Sequence, residues 1–167
     1  AYTAATVLYV AGALEYVPRI VALVERARAV KDLHLTKVRN ENAYYCCIAQ
    51  CLSAADHEPA VSPLAADDVN GEGGDSGGSG EAIGRPIYVC GDSHALSPAW
   101  KTIALRRRGG QKRLLKPALV TGLKHWHLRP GADFYPKRNF QSVVATTIPD
   151  GADVVFLFGE IDCREGI

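Results

Sequence analysis

Between Leu64 and Gly84 the chain reads LAADDVNGEGGDSGGSGEAIG, and no other stretch constrains the architecture so strongly. It is acidic and rich in Gly and Ser. Its few apolar side chains cannot offset the entropy of ordering the backbone, so a flexible linker is expected over 64–84. The chain then divides into residues 1–63 and residues 85–167, which differ in pattern and must bury separate cores.

Residues 1–63 read as helical. A small, mainly apolar opening, AYTAATVLYVAG, precedes EYVPRIVALVERARAV. Pro18 suits the first turn of a helix, and Ile20, Leu23, Val24 and Ala27 recur at helical spacing. In ENAYYCCIAQCLS, Asn40 is placed to cap a further helix whose apolar face is Tyr44, Cys47, Ile48, Cys51 and Leu52. Helices of this length resemble a piece of a helical-repeat array such as a tetratricopeptide array. Gly12 and Tyr16 do not fall at that repeat's spacing, so a helical hairpin is the plainer reading.

Composition bounds the partners. The formal net charge is +1 over 167 residues, which gives no global attraction to nucleic acid or to a membrane surface. No apolar run reaches the roughly 18 residues that a membrane-spanning helix needs. The basic run KTIALRRRGGQKRLLK has no interleaved aromatics for base stacking. Arg106 to Arg108 are expected to close a helix, where cations suit the dipole. The five cysteines, Cys46, Cys47, Cys51, Cys90 and Cys163, are odd in number and lack zinc-like spacing. They read as structural thiols, which favours an intracellular, cytoplasmic setting. The sequence begins with Ala and contains no Met. It is therefore expected to be a fragment, with any targeting signal outside it.

Residues 85–167 alternate strand and helix. PIYVCG is a strand ending at Gly91. Ser97-Pro98 is expected to open a helix through AWKTIALRRR, which Gly109-Gly110 would stop. KPALVTG is a second strand, NFQSVVATTI a helix, and ADVVFLFGEID a third strand with a continuously apolar centre. Such strands suit a parallel sheet covered on both faces, which makes the fold class α/β.

Sites in open parallel sheets form at the carboxyl ends of strands, and here those ends are polar. The first carries Asp92, Ser93 and His94. The second carries Gly122 and runs on to His125 and His127. The third carries Glu160, Asp162 and Arg164. Ser93 follows a strand and lies a few residues before the expected helix, so its hydroxyl can be exposed while N–H groups near the helix start face a developing oxyanion. A serine needs a base to take its proton. His125 and His127 flank Trp126 and would share one side of an extended segment. Asp92 also has a plain role as a turn cap, and Arg164 as an ion-pair partner of Asp162 or Glu160.

VCGDSHA together with VVFLFGEIDCREG resembles the SGNH (GDSL-type) hydrolase superfamily, in the branch with GDSH and FGEIDxR blocks. The resemblance covers Pro86 to Ile167. It implies a flavodoxin-like three-layer α/β/α sandwich and hydrolysis of esters, with no cofactor. The dense polar pocket expected at the strand ends suits acetyl or carbohydrate esters better than long acyl chains. It makes Ser93 the nucleophile and a backbone oxyanion donor, and Gly122 a second donor. Asp92, His94, His127, Glu160, Asp162 and Arg164 then line or support the pocket. Ile161 stands where the family commonly has an Asn that donates to the oxyanion. Loss of such a donor removes roughly 3 kcal/mol of transition-state stabilisation. Arg164 or His127 is the candidate replacement. The family's Asp-x-x-His block is expected beyond Ile167, which would leave this fragment inactive by itself.

Two rivals remain. An altered third block fits a degenerate hydrolase fold that binds a ligand or protein, with the N-terminal helices as the interaction module. Asp92-x-His94 also echoes the first block of calcineurin-like metallophosphoesterases, but the further Gly-Asp-x-x-Asp and Gly-Asn-His blocks are missing, so no metal site is expected.

Overall fold

The computed structural model describes residues 1–30, 41–53, 83–106 and 111–166. They belong to two compact units, one of helices and one of mixed strands and helices. The expected linker lies outside the described residues except for Ile83 and Gly84, and Gly84 already opens a strand. Asn40 also lies outside them.

The helical unit contains α1 (Tyr2–Ala11), α2 (Val17–Arg28) and α3 (Glu41–Ser53). Gly12 ends α1 in the left-handed region (φ 82°), returning its N–H to the Leu8 and Tyr9 carbonyls. Pro18 sits in the first turn of α2. Val17 and Val24 are buried and Ile20 and Ala27 partly so, but Leu23, expected on that face, is exposed. On α3 Ile48 is buried and Tyr44, Cys47, Cys51 and Leu52 are half-buried, as the expected face requires. Tyr45, which was not on that face, is fully buried and turns its centre toward itself. Its hydroxyl donates to Glu25 Oε1 at 2.9 Å and its ring lies 4.7 Å from that of Tyr2.

The second unit is built on a four-stranded sheet of β1 (Gly84–Gly91), β2 (Thr102–Leu105), β3 (Gln111–Leu119) and β4 (Asp153–Leu157), in the order β2-β3-β1-β4. β1 runs parallel to β3 and to β4, whereas β2 is antiparallel to β3. The sheet is therefore mixed, not wholly parallel as expected.

β2 also corrects the helix expected over AWKTIALRRR as far as Arg106; Arg107, Arg108 and the Gly109-Gly110 stop lie outside the described residues. Ser97 closes a 3-10 turn, Ser93–Leu96, and opens no helix. Trp100, buried at φ 63°, breaks helical continuity, and its N–H bonds the Leu115 carbonyl at 2.7 Å. Beyond it Ile103 and Leu105 alternate onto the core with Ile87, Val89, Ala95 and Leu115. That period of two is a strand's. β2 pairs β3 from Leu105↔Gln111 to Thr102↔Leu114 and stops short of Pro117, which has no N–H to give a ladder.

The opposite sheet face holds Cys90, Ala118, Val120 and Leu123, packed by Phe140 and Val143 of α4 (Tyr135–Thr146) and by Phe158. Burying such side chains contributes about 1.5–3 kcal/mol each for the larger ones. Arg113, itself buried, cross-ties three strands. Its guanidinium donates to the Arg85 and Pro86 carbonyls and pairs with Asp153 at 2.8 Å. β4 lies at the sheet edge with Val155, Phe156 and Leu157 exposed, although its sequence reads as a central strand.

Candidate active site

The three parallel strands lie in the spatial order β3-β1-β4, so the connections from β1 and from β3 leave on opposite sides of β1. By that order the carboxyl end of β1 corresponds to a topological switch point, the place where open α/β sheets commonly bind ligands. Gly91 ends β1 there because β4 approaches closely. A Cβ at Gly91 would lie 1.9 Å from the Leu157 carbonyl oxygen.

Asp92 follows at once and is 1% exposed. Its Oδ1 accepts the His94 N–H at 2.9 Å, capping the 3-10 turn, and lies 2.7 Å from His94 Nδ1. The contact suits the tautomer in which Nδ1–H donates to the carboxylate, and that tautomer leaves Nε2 as an acceptor. Asp92 Oδ2 is buried with no hydrogen-bond partner among the described residues. Ser93 stands half-buried between these two residues at the start of the turn. Its Oγ forms no hydrogen bond among the described residues.

The end of β4 leads through Gly159 (φ 109°) into the short α5 (Glu160–Glu165). Glu160 Oε2 is 4.0 Å from His94 Nε2, and its Oε1 is 3.8 Å from Arg164 Nε. Asp92, His94, Glu160 and Arg164 thus form one row of polar groups across the ends of β1 and β4. Arg164 pairs with Glu160, one of the two carboxylates expected for it.

Asp162 has another task. It is 8% exposed, and its two oxygens accept the N–H groups of His125 (2.7 Å) and Trp126 (2.9 Å). Burial opposes its charge, but the Trp126 and His125 N–H bonds outweigh burial and hold its pKa below the ordinary carboxylate value. The carboxylate thereby clamps the 3-10 turn His125–Leu128 onto α5.

That turn corrects the reading of His125 and His127 as neighbours on one side of an extended segment. His125 stacks on Phe158, while His127 packs against Phe134 and accepts the Lys124 N–H through Nδ1 at 3.1 Å. The structure places His127 in an aromatic cluster with Trp126 and Phe134. Gly122 occupies the exposed turn after β3 at φ 69°, with open space where a Cβ would stand. Ile161 is half-buried in the first turn of α5.

Two features escaped the sequence reading. Arg129 stacks over Trp126, its Cζ 3.3 Å from the ring centroid. The buried Arg113 tie was equally unannounced. Among the described residues no three His, Cys, Asp or Glu side chains gather as a metal site would require. Asp92 and His94 hydrogen-bond each other instead of converging on a common point. Compared with models of protein families, with curated proteins and with solved structures, the chain matches none.

Proposed function

We propose that the second unit is an SGNH-like ester hydrolase with Ser93 as nucleophile. The observation that carries this reading is the Asp92–His94 pair flanking Ser93 at the switch point. A serine hydroxyl, an imidazole with an accepting Nε2 and a buried carboxylate that fixes the ring are the parts that activate a serine. The strand order second-first-third is the one a flavodoxin-like sandwich begins with, which supports extending the mixed α/β unit to that fold.

In the proposed reaction Ser93 Oγ attacks the ester carbonyl carbon, and its proton passes to His94 Nε2. The tetrahedral intermediate collapses, the C–O bond to the alcohol breaks, and the departing oxygen takes that proton. Water then repeats the sequence on the acyl-serine and frees the acid. The N–H groups of Ser93 and Gly122 face the oxyanion in this scheme. Ile161 supplies no donor, so the rate falls below that of a site with a side-chain amide. In this scheme His94 takes the serine proton, the role that the resemblance gives to a histidine beyond Ile167.

A fluorophosphonate probe tests the proposal. Labelling is expected at Ser93, absent from Ser93→Ala, and slowed about a hundredfold in His94→Gln. A folded protein that resists labelling from pH 6 to pH 9 would overturn it, and the polar strand ends would then serve a binding module. Labelling that His94→Gln leaves at full rate would place the base elsewhere while keeping the serine.

A further inference from the structure

Arg129 and Lys137 form a cationic cluster that the reaction scheme does not use. Arg129 Cζ lies over the Trp126 ring, 3.3 Å from its centroid, and 5.7 Å from the Phe134 ring centroid. It donates to the Trp126 carbonyl at 3.2 Å, and Lys137 donates to the Arg129 carbonyl at 2.9 Å. Among the described residues neither cation has a carboxylate within ion-pair distance. The neighbouring Arg138, by contrast, lies 3.5 Å from Asp133.

Several contacts position these side chains. Asp162 fixes the backbone beneath Trp126, and the ring stack fixes the guanidinium plane. A stacked guanidinium with one N–H bonded to a carbonyl keeps its remaining donors in a planar fork, the geometry that matches a carboxylate. Beside it Trp126 (38% exposed) and Phe134 (36% exposed) present ring surface to solvent. Ring faces next to a cationic fork suit a flat, C–H-bearing ring that carries an acid. Asp162 and Glu160 share the first turn of α5, and Glu160 reaches His94, so the cluster lies one short helix from the proposed catalytic turn.

We propose that Trp126, Phe134, Arg129 and Lys137 form a subsite for the carboxylate and ring of an acidic sugar, so that the substrate is an esterified acidic carbohydrate. The substrate half of this assignment rests on the ester-hydrolase reading, whereas the binding half does not.

Trp126 supplies the readout. Fluorescence of the full chain is titrated with glucuronate, glucose and inorganic sulfate, and Trp126→Phe separates this signal from that of the buried Trp100. Glucuronate is expected to bind about tenfold tighter than either glucose or sulfate. Arg129→Lys, which keeps the charge but loses the fork, is expected to weaken glucuronate about tenfold, and Lys137→Ala less. Glucose or sulfate binding as well as glucuronate, or Arg129→Ala binding like the parent, would overturn the subsite. Acetylated glucuronate and acetylated glucose then serve as paired substrates. Equal kcat/KM for the two would overturn the substrate assignment and leave the hydrolase standing. Selective glucuronate binding by a protein that hydrolyses neither and resists the fluorophosphonate probe would remove the hydrolase and leave the subsite.

Discussion

Asp92 shows how one buried carboxylate serves two masters. It caps the 3-10 turn through the His94 N–H and holds the His94 ring by Nδ1, yet its Oδ2 has no partner among the described residues. An unsatisfied buried acceptor costs about 1–3 kcal/mol, so the position sacrifices stability for ring orientation. Asp92→Asn keeps the cap while removing the charge. Its midpoint in urea is expected to move by no more than about 1 kcal/mol equivalent, while Ser93 labelling slows at least about tenfold. Asp162 offers a contrasting case. Its folded pKa lies below its ordinary value of 3.8, so it stabilises the fold above that pH and loses the contribution as pH falls through the folded value. Asp162→Ala is expected to lose roughly 1–3 kcal/mol at neutral pH, because two N–H groups lose their acceptor. Urea curves at pH 7 and pH 2.5 check this, since the gap between mutant and parent should shrink at the acid end. Burial also lifts the Cys90 thiol to about 11. Alkylation at neutral pH should therefore modify the exposed Cys163 well before Cys90.

At the scale of elements, the turn from β1 and the strand β2 divide what local sequence can reveal from what it cannot. Asp92 as a cap was readable from its place after an apolar run, and the structure confirms the bond. Ser97-Pro98 carried an equally good helix-start pattern, but Trp100 at positive φ and the hydrogen bonds to Leu115 and Lys101 draw the next segment onto β3. A four-residue segment is too short for helical and strand periods to be told apart, so its pairing partner decides. Ala104, exposed on β2, provides the test. Ala104→Thr should be neutral or stabilising by up to about 1 kcal/mol, because a strand favours a β-branched residue where a helix would lose stability. Gly91 is another element-scale constraint. Gly91→Ala forces the Leu157 carbonyl away and should lower the urea midpoint sharply, by a loss in the range of about 1–3 kcal/mol.

At the scale of the molecule, the strand order explains why the polar strand ends meet. Flanking β1 with β3 and β4 brings the Asp92 turn beside α5, and Glu160 thereby reaches toward His94. The same order leaves β4 at the edge with Phe156 55% exposed. An apolar edge strand is a pairing surface, so light scattering is expected to show concentration-dependent association that Val155→Lys reduces. The helical and α/β characters of the two parts were set by composition and period, which depend on near neighbours in the chain. So were Pro18 in the first turn of α2, the strand end at Gly91 and the clustering of chemical groups after strands. The rest depends on contacts between residues far apart in sequence. β2 became a strand because β3 was there to pair with it. His127 turned to Phe134 because Asp162 folded its segment into a 3-10 turn. Arg129 became a fixed cation because Trp126 was held beneath it. Sequence pattern carries local backbone preference and burial, whereas pairing order and side-chain direction are decided only when distant segments compete for the same partners.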